Sequence, residues 1–264
     1  IKMFLALSAV AVYAVAAKIA EYTYLLNKQF SNALMPLVSQ SKGAGDTEIV
    51  RRILVDGTRF LLAVAVPFIA LLFFYADAIL IRWMGQEFAE AAPLLRILLL
   101  AVLFSSVQLN AANVLGMTGE HRFVAFAMGG SAILNLILSI VLIQVFGLSG
   151  VALGTLLATL VAEFWLVLPR ACRKQGLGVA DFLRHAIWPT IPALIPALGA
   201  AALMAYAQPP DNFGWIILQG GIAALLYYAT FYRTGLSGWE RELVVEKARS
   251  IFNRSRATHL PPTE

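Results

Sequence analysis

Cysteine is nearly absent and histidine is scarce: one Cys (Cys172) and three His (His121, His185, His259) in 264 residues. A lone thiol excludes a disulfide framework and any Cys-rich metal site. The three histidines are far apart in sequence and share no face, so no zinc motif forms and no metal is expected. Charge is scarce too. Asp, Glu, Lys and Arg make up 13% of the chain, about half the usual share. There is no G-x-x-x-x-G-K-[ST], no G-x-S-x-G and no H-E-x-x-H, so a P-loop, a nucleophile elbow and a zincin site are all excluded. No cofactor is called for, and an enzyme reading is weak.

What the chain has in abundance is apolar surface: 60% of its residues are hydrophobic and its mean hydropathy is +0.77. That exceeds what a globular core can hide, so the solvent is lipid. Seven apolar runs, 9–40, 60–80, 93–116, 123–146, 151–169, 187–207 and 214–232, are candidates to cross, each crossing needing roughly 20 residues. The first is too long for one perpendicular crossing; it must tilt, bend at Pro36 or extend beyond the lipid. The connections carry turn chemistry: Lys42-Gly-Ala-Gly-Asp46, Gly116-Met-Thr-Gly119, Gly147-Leu-Ser-Gly150 and Pro209-Pro-Asp-Asn212. Links this short make antiparallel neighbours. The expected fold is all-α, a polytopic transmembrane helical bundle of about seven spans.

Orientation follows from Lys and Arg. The segments 41–59, 117–122, 170–186 and 233–264 hold fifteen of them, and the alternate segments hold only Lys2 and Arg82. By the positive-inside rule the C-terminus is cytoplasmic and the N-terminus external. Trp83, Trp165, Trp188 and Trp215 fall near span ends, as an aromatic belt requires. The net charge of +5 is therefore read as facing anionic membrane lipid, with no role in nucleic-acid binding. Residues 237–253 mix Trp239, Leu243, Val244, Ile251 and Phe252 with Arg and Glu; they read as an interfacial amphipathic helix ahead of a Pro-rich tail. Ile1 is not an initiator and no signal peptide is legible. Either Met3 is the start, or the sequence is the C-terminal part of a longer one, which is the expectation preferred.

Ionisable side chains inside a span cost a few kcal/mol on insertion scales and need an explanation. At 100° per residue, Lys18, Glu21, Lys28, Gln29 and Asn32 fall within a sector of roughly 100° on the first span, with Tyr22 and Pro36 beside them. The opposite side reads as mostly Ala, Val and Leu. Either Lys18 and Glu21 form an i,i+3 pair that locks two helices, or the stripe walls a cavity that meets an anionic or sugar-rich substrate or a coupling ion. Two cations against one anion favour the cavity wall. In the third span Ser106, Asn110 and Asn113 share a face, with Gln108 on the other side. Ser131, Asn135 and Ser139 are spaced by four in the fourth span, and Thr155, Thr159 and Glu163 in the fifth. Asn110, Asn113 and Asn135 are either cavity wall or packing glue of about 0.6 kcal/mol each. Glu163, alone and deep, suits a coupling residue for H+ or Na+ unless a structural partner holds it. Arg96 can snorkel. Gly150-Val-Ala-Leu-Gly154 is a strip for close helix contact. Pro67, Pro189, Pro192 and Pro196 are expected to kink their spans.

Several stretches then resemble a known family. Val12-Tyr13 leading to Asn32-Ala-Leu-Met-Pro36 and the Gly45-Asp46 turn resembles the eighth helix of bacterial polysaccharide flippases. Ile81-Arg-Trp-Met-Gly85 with Phe88 to Ile97 looks like the loop into the tenth. Asn113-Val-Leu-Gly-Met-Thr-Gly119 is similar to the turn after it. Asn135-Leu-Ile-Leu-Ser139 through Phe146-Gly-Leu-Ser-Gly-Val-Ala-Leu-Gly-Thr155 resembles the eleventh and twelfth. Order and spacing over residues 10–170 make the likeness specific to the oligosaccharide (Wzx-type O-antigen) flippases of the MOP superfamily, with lipid II flippases and MATE antiporters as relatives; residues 170–264 fit by hydropathy only.

The resemblance implies a V-shaped pair of six-helix lobes, often followed by two extra helices. Such proteins turn an undecaprenyl-pyrophosphate-linked oligosaccharide from the cytoplasmic to the periplasmic leaflet of a bacterial inner membrane by alternating access. They work beside the polysaccharide assembly machinery, for polysaccharide or lipopolysaccharide biosynthesis. Residues 1–169 would then be C-terminal lobe helices, 170–232 the two extra helices, and 233–264 a cytoplasmic helix and tail. Lys18 and Lys28 would stand where cations meet the pyrophosphate, with Glu21, Gln29, Asn32, Asn110, Asn113 and Asn135 lining the cavity and Glu163 coupling the ion. The seven spans match the family's eighth to fourteenth helices, so the first lobe has no counterpart and one chain is not expected to transport alone. Alternatives are a MATE-like cation-coupled drug antiporter, which needs a net acidic cavity, a polytopic enzyme of polysaccharide assembly, and a half-size assembly subunit.

Overall fold

The computed structural model describes residues 7–43, 46–207, 212–242 and 246. Among them there is no strand; the chain is a helical membrane bundle. The first apolar run divides into α1 (Leu7–Asn32) and α2 (Met35–Gly43). The break falls just before Pro36, because a proline is tolerated in a helix's first turn and not in its interior. α3 (Thr47–Phe74) is capped by Asp46, whose side chain accepts from the Ile49 N–H at 3.0 Å. α3 begins well before the apolar run at 60, so most of the basic segment 41–59 is helix and not loop. α4 (Ala76–Met84) follows, then α5 (Ala91–Leu115) and α6 (His121–Phe146).

Among the described residues, six helical stretches are long and apolar enough to cross a membrane. One of them, Ala91–Phe146, has 56 residues, a length of about 84 Å if straight, against a hydrocarbon core of about 30 Å. It is divided at Gly119, whose φ of 94° takes the backbone into the left-handed region that favours glycine. Counting α5 and α6 separately gives the seven crossings expected from hydropathy. A second positive-φ glycine, Gly147, starts α7 (Leu148–Ala158). α7 runs without interruption through a π-helical stretch, Thr159–Val167, into α8 (Leu168–Lys174). α9 (Val179–Phe182) leads by further short helical turns into α10 (Ile191–Ala207), and α11 (Phe213–Thr234) completes the bundle, its N-terminus capped by Asn212. The turn at 209–212 lies, apart from Asn212, outside the described residues, as do residues 1–6, Gly45 and most of the amphipathic helix expected over 237–253.

α5 is the central post: eighteen of its 25 residues are buried, and it packs against α1, α3 and α7. α6 is the opposite case, with only Ala127, Ser131 and Ile143 buried, and Phe126, Ile133, Leu136 and Val145 facing outward. α6 is held chiefly by α7, and here the small-residue strip is used as expected. A Cβ on Gly150 would sit 2.1 Å from the Leu142 carbonyl oxygen, and one on Gly154 would sit 2.8 Å from the Ser139 nitrogen. The two backbones touch because there is no side chain between them.

The basic end of the bundle is tied together by ion pairs. Arg59 of α3 reaches Asp56 at 3.1 Å and also pairs with the buried Glu240, whose other oxygen takes the Ser237 N–H and O–H at 2.7 Å each. Arg170 and Lys174 of α8 converge on Glu120, both at 3.1 Å. Toward the other end Arg96 pairs with Asp77 and donates to the Phe73 carbonyl at 3.1 Å.

Candidate functional site

The polar residues of α1 fall on two opposite faces. Ala16, Ala20, Thr23, Asn27 and Ser31 are buried against its neighbours. Asn27 donates to Ser106 at 2.8 Å, Ser31 donates to Asn110, Asn113 donates to Ser31 at 2.9 Å, and Asn110 reaches Thr58 of α3 at 3.3 Å. This hydrogen-bonded seam joins α1, α3 and α5 into one body. It corrects the expectation of an apolar side opposite the Lys18 stripe: that side carries amides and hydroxyls small enough to let helices approach. Asn110 and Asn113 belong to the seam, bonding across the helix contact and not to a cavity.

Lys18, Glu21, Lys28 and Gln29 stand together on the exposed face of α1, with Asn32 half-buried at its end. Lys18 and Glu21 form the expected i,i+3 pair at 2.7 Å, yet both side chains are more than half exposed, so the pair locks no second helix among the described residues. Lys18 also lies over the Tyr22 ring, 5.6 Å from its centroid.

A separate cavity of about 410 Å³ opens between α1, α5, α6 and the π-helical stretch. It shares Tyr13, Ala132, Asn135 and Thr155 with an adjoining cleft of about 420 Å³ that runs along α6 and α7. The polar residues spaced by four do converge here: Ser131, Asn135 and Ser139 from α6, Thr155, Thr159 and Glu163 from α7 and its continuation. Ser139 donates to Asn135 at 3.0 Å, and Thr155 reaches the same Asn135 oxygen at 3.4 Å. Glu163 is the hub. Its Oε2 accepts from Ser105 at 3.1 Å and Gln108 at 2.8 Å, both on α5, and its Oε1 faces Ser131 of α6 at 3.5 Å. Glu163 lies within the π-helical stretch, where the wider turn changes which way a side chain points. Among the described residues the carboxylates on the cavity wall are Glu21 and Glu163, and no Lys or Arg lines it. The cation surplus of α1 is thus outside this cavity, on the exposed face. Ser105, Gln108, Tyr13 and Tyr24 had not been expected here. Ser105 and Gln108, three apart on the face of α5 away from the Asn110 seam, were the available signal.

Residues 3–141, over half of the chain, match the MatE family. The chain belongs to the MatE family. Within it, this MatE chain is similar to the probable low-salt glycan biosynthesis flippase Agl15 of Haloferax volcanii, with 27% identity over 158 residues, 60% of this chain and 34% of that protein. Its fold is similar to that of a lipid II flippase, MurJ, in an inward closed conformation, with a TM-score of 0.64 at 19% identity, covering 85% of this chain and 47% of the other. The chain spans about a third of the length of the first relative and about half of the second.

Proposed function

We propose that this MatE chain serves a flippase that carries a lipid-linked oligosaccharide, of the undecaprenyl-pyrophosphate class, from the cytoplasmic to the periplasmic leaflet for polysaccharide biosynthesis. It works by alternating access and draws on an H+ or Na+ gradient through Glu163. The observation that carries the reading is the exposed face of α1. Lys18, Glu21, Lys28 and Gln29 cannot face acyl chains at the cost such groups incur in hydrocarbon, so they face water and a polar ligand. Lys18 and Lys28 are ten residues apart, a rise of about 15 Å along the helix, half the hydrocarbon thickness. They offer an anionic headgroup two cationic stations at different depths. At the first, a pyrophosphate would displace Glu21 from Lys18. A relative named as a glycan flippase supports the same class of cargo.

The division between residues 1–169 as lobe helices and 170–232 as two additional helices belongs to this proposal, as does the cytoplasmic placement of the basic end. In cells that depend on the protein, Lys18→Ala with Lys28→Ala is expected to lower export of the sugar-lipid at least tenfold while the protein stays at its normal level in the membrane. Unchanged export would remove the α1 face from the route. One observation favours a second reading, a cation-coupled antiporter of cationic drugs: among the described residues the open cavity carries Glu21 and Glu163 and no cation. Loss of organic-cation efflux in Glu163→Gln, with glycan export intact, would select that reading.

A further inference from the structure

The two oxygens of Glu163 are held unequally, and by different bodies of the fold. Oε2 has two donors, Ser105 at 3.1 Å and Gln108 at 2.8 Å, from the central and largely buried α5. Among the described residues Oε1 accepts only from the Ser131 hydroxyl, at 3.5 Å, on the peripheral α6. α5 is sewn to α1 and α3 by the Asn27, Ser31 and Asn110 seam. α6 is sewn to α7 at Gly150 and Gly154. Glu163, continuing α7, therefore bridges the α1–α3–α5 body and the α6–α7 pair. Gln108 is fully buried, and while its amide N–H₂ is committed to Glu163 its carbonyl oxygen has no hydrogen-bond partner. Orphaned acceptors of this kind are rare; this one is kept in place by the charge of the carboxylate it faces.

We propose that Ser105 and Gln108 make Glu163 a proton-operated clasp between α5 and the α6–α7 pair. This deepens the ion-coupled reading above and rests on it. The ionised carboxylate accepts charge-assisted bonds on Oε2 and holds the two bodies together. A hydronium ion in the cavity passes its proton to Oε1, the under-bonded oxygen, and leaves as water; the new O–H donates to Ser131, whose hydroxyl turns from donor to acceptor. The bonds on Oε2 then become neutral ones of about half the strength, and the clasp loosens. Among the described residues, the titratable groups of α1 facing this cavity are Tyr13, Glu21 and Tyr24, with Lys18 paired to Glu21, and α5, α6 and α7 present none on its wall. Gln108 is a positioning residue: it fixes which oxygen receives the proton.

The test is an infrared titration of the protein in proteoliposomes, following the protonated carboxyl band that Glu163→Gln removes. Gln108→Met and Ser105→Ala each take a donor from the charged form and should move the midpoint to higher pH by about one unit. Ser131→Ala loses the weak 3.5 Å donor of the charged form together with the acceptor of the protonated form, so it should move the midpoint much less than Ser105→Ala does. If Gln108→Met fails to fold, the small Ser105→Ala carries the same arm. A shift in Ser131→Ala as large as that in Ser105→Ala, or no shift in Ser105→Ala, overturns the proposal. So does loss of the band on adding Na+ at constant pH, which would assign Oε1 to a metal cation. The titration does not depend on flipping, so its result stands apart from the export assay that tests the flippase reading.

Discussion

Gly150→Ala measures how tightly α6 and α7 are joined. A Cβ there lies 2.1 Å from the Leu142 carbonyl oxygen and 2.3 Å from its carbon, whereas such carbon–oxygen contacts settle near 3.3 Å. Backbone cannot rotate out of the way, so α6 must retreat by about 1 Å. That gap alone forfeits a quarter to a half of the dispersion energy across the seam. It also breaks the hydrogen bonds already at their limit, Thr155 to Asn135 at 3.4 Å and Ser139 to the Val151 carbonyl at 3.5 Å. Overpacking of this kind costs about 1–3 kcal/mol. Gly130→Ala is the control, because a Cβ there meets nothing within 4 Å; both variants gain the helix preference of alanine over glycine, about 1 kcal/mol. Thermal unfolding of the two variants in the same detergent isolates the contact. Gly150→Ala should melt several degrees below Gly130→Ala, at about 2–4 °C per kcal/mol. Equal melting temperatures would refute the close approach of α6 and α7.

Other perturbations have outcomes of different size. Arg59→Ala strands the buried Glu240 and should destabilise the bundle by about 3–5 kcal/mol in a denaturation assay. Asn110→Ala removes the centre of the α1–α3–α5 seam and should cost about 1–2 kcal/mol, the scale of hydrogen bonds between membrane helices, with no dependence on salt. Arg170→Ala breaks a half-exposed pair with Glu120 and should change unfolding by less than 1 kcal/mol, an effect that disappears in high salt.

The crossings were legible because lipid imposes length and apolarity on each span, and the turns at Gly119 and Gly147 because they need a residue free to take positive φ. The four-residue spacings of Ser131, Asn135 and Ser139 and of Thr155, Thr159 and Glu163 put each trio on one face of its helix, but spacing within a helix is silent on the two faces meeting at one cavity. The polar seam on the side of α1 opposite Lys18 was missed, since a helical wheel scores Asn27 and Lys28 alike as polar. Size separates them: Ala16, Ala20, Thr23, Asn27 and Ser31 are short enough to be buried at close range, while Lys18 and Lys28 need water at their tips. The π-helical stretch was invisible to a fixed 100° periodicity, so the partners of Glu163 could not be assigned from spacing. The Arg59–Glu240 pair joins positions 181 residues apart, a separation on which local pattern is silent.

On the proposed reading, the exposed face of α1 with Lys18 and Lys28 conducts an anionic lipid-linked sugar. The test of that reading is flipping of a fluorescent undecaprenyl-pyrophosphate oligosaccharide in proteoliposomes containing the flippase that this chain serves, comparing wild type with Lys18→Gln, Lys28→Gln and the double variant. Progressive loss of flipping, with the double variant near the protein-free rate, is the predicted result. Wild-type rates in the double variant would place the sugar-lipid's path elsewhere and contradict the account.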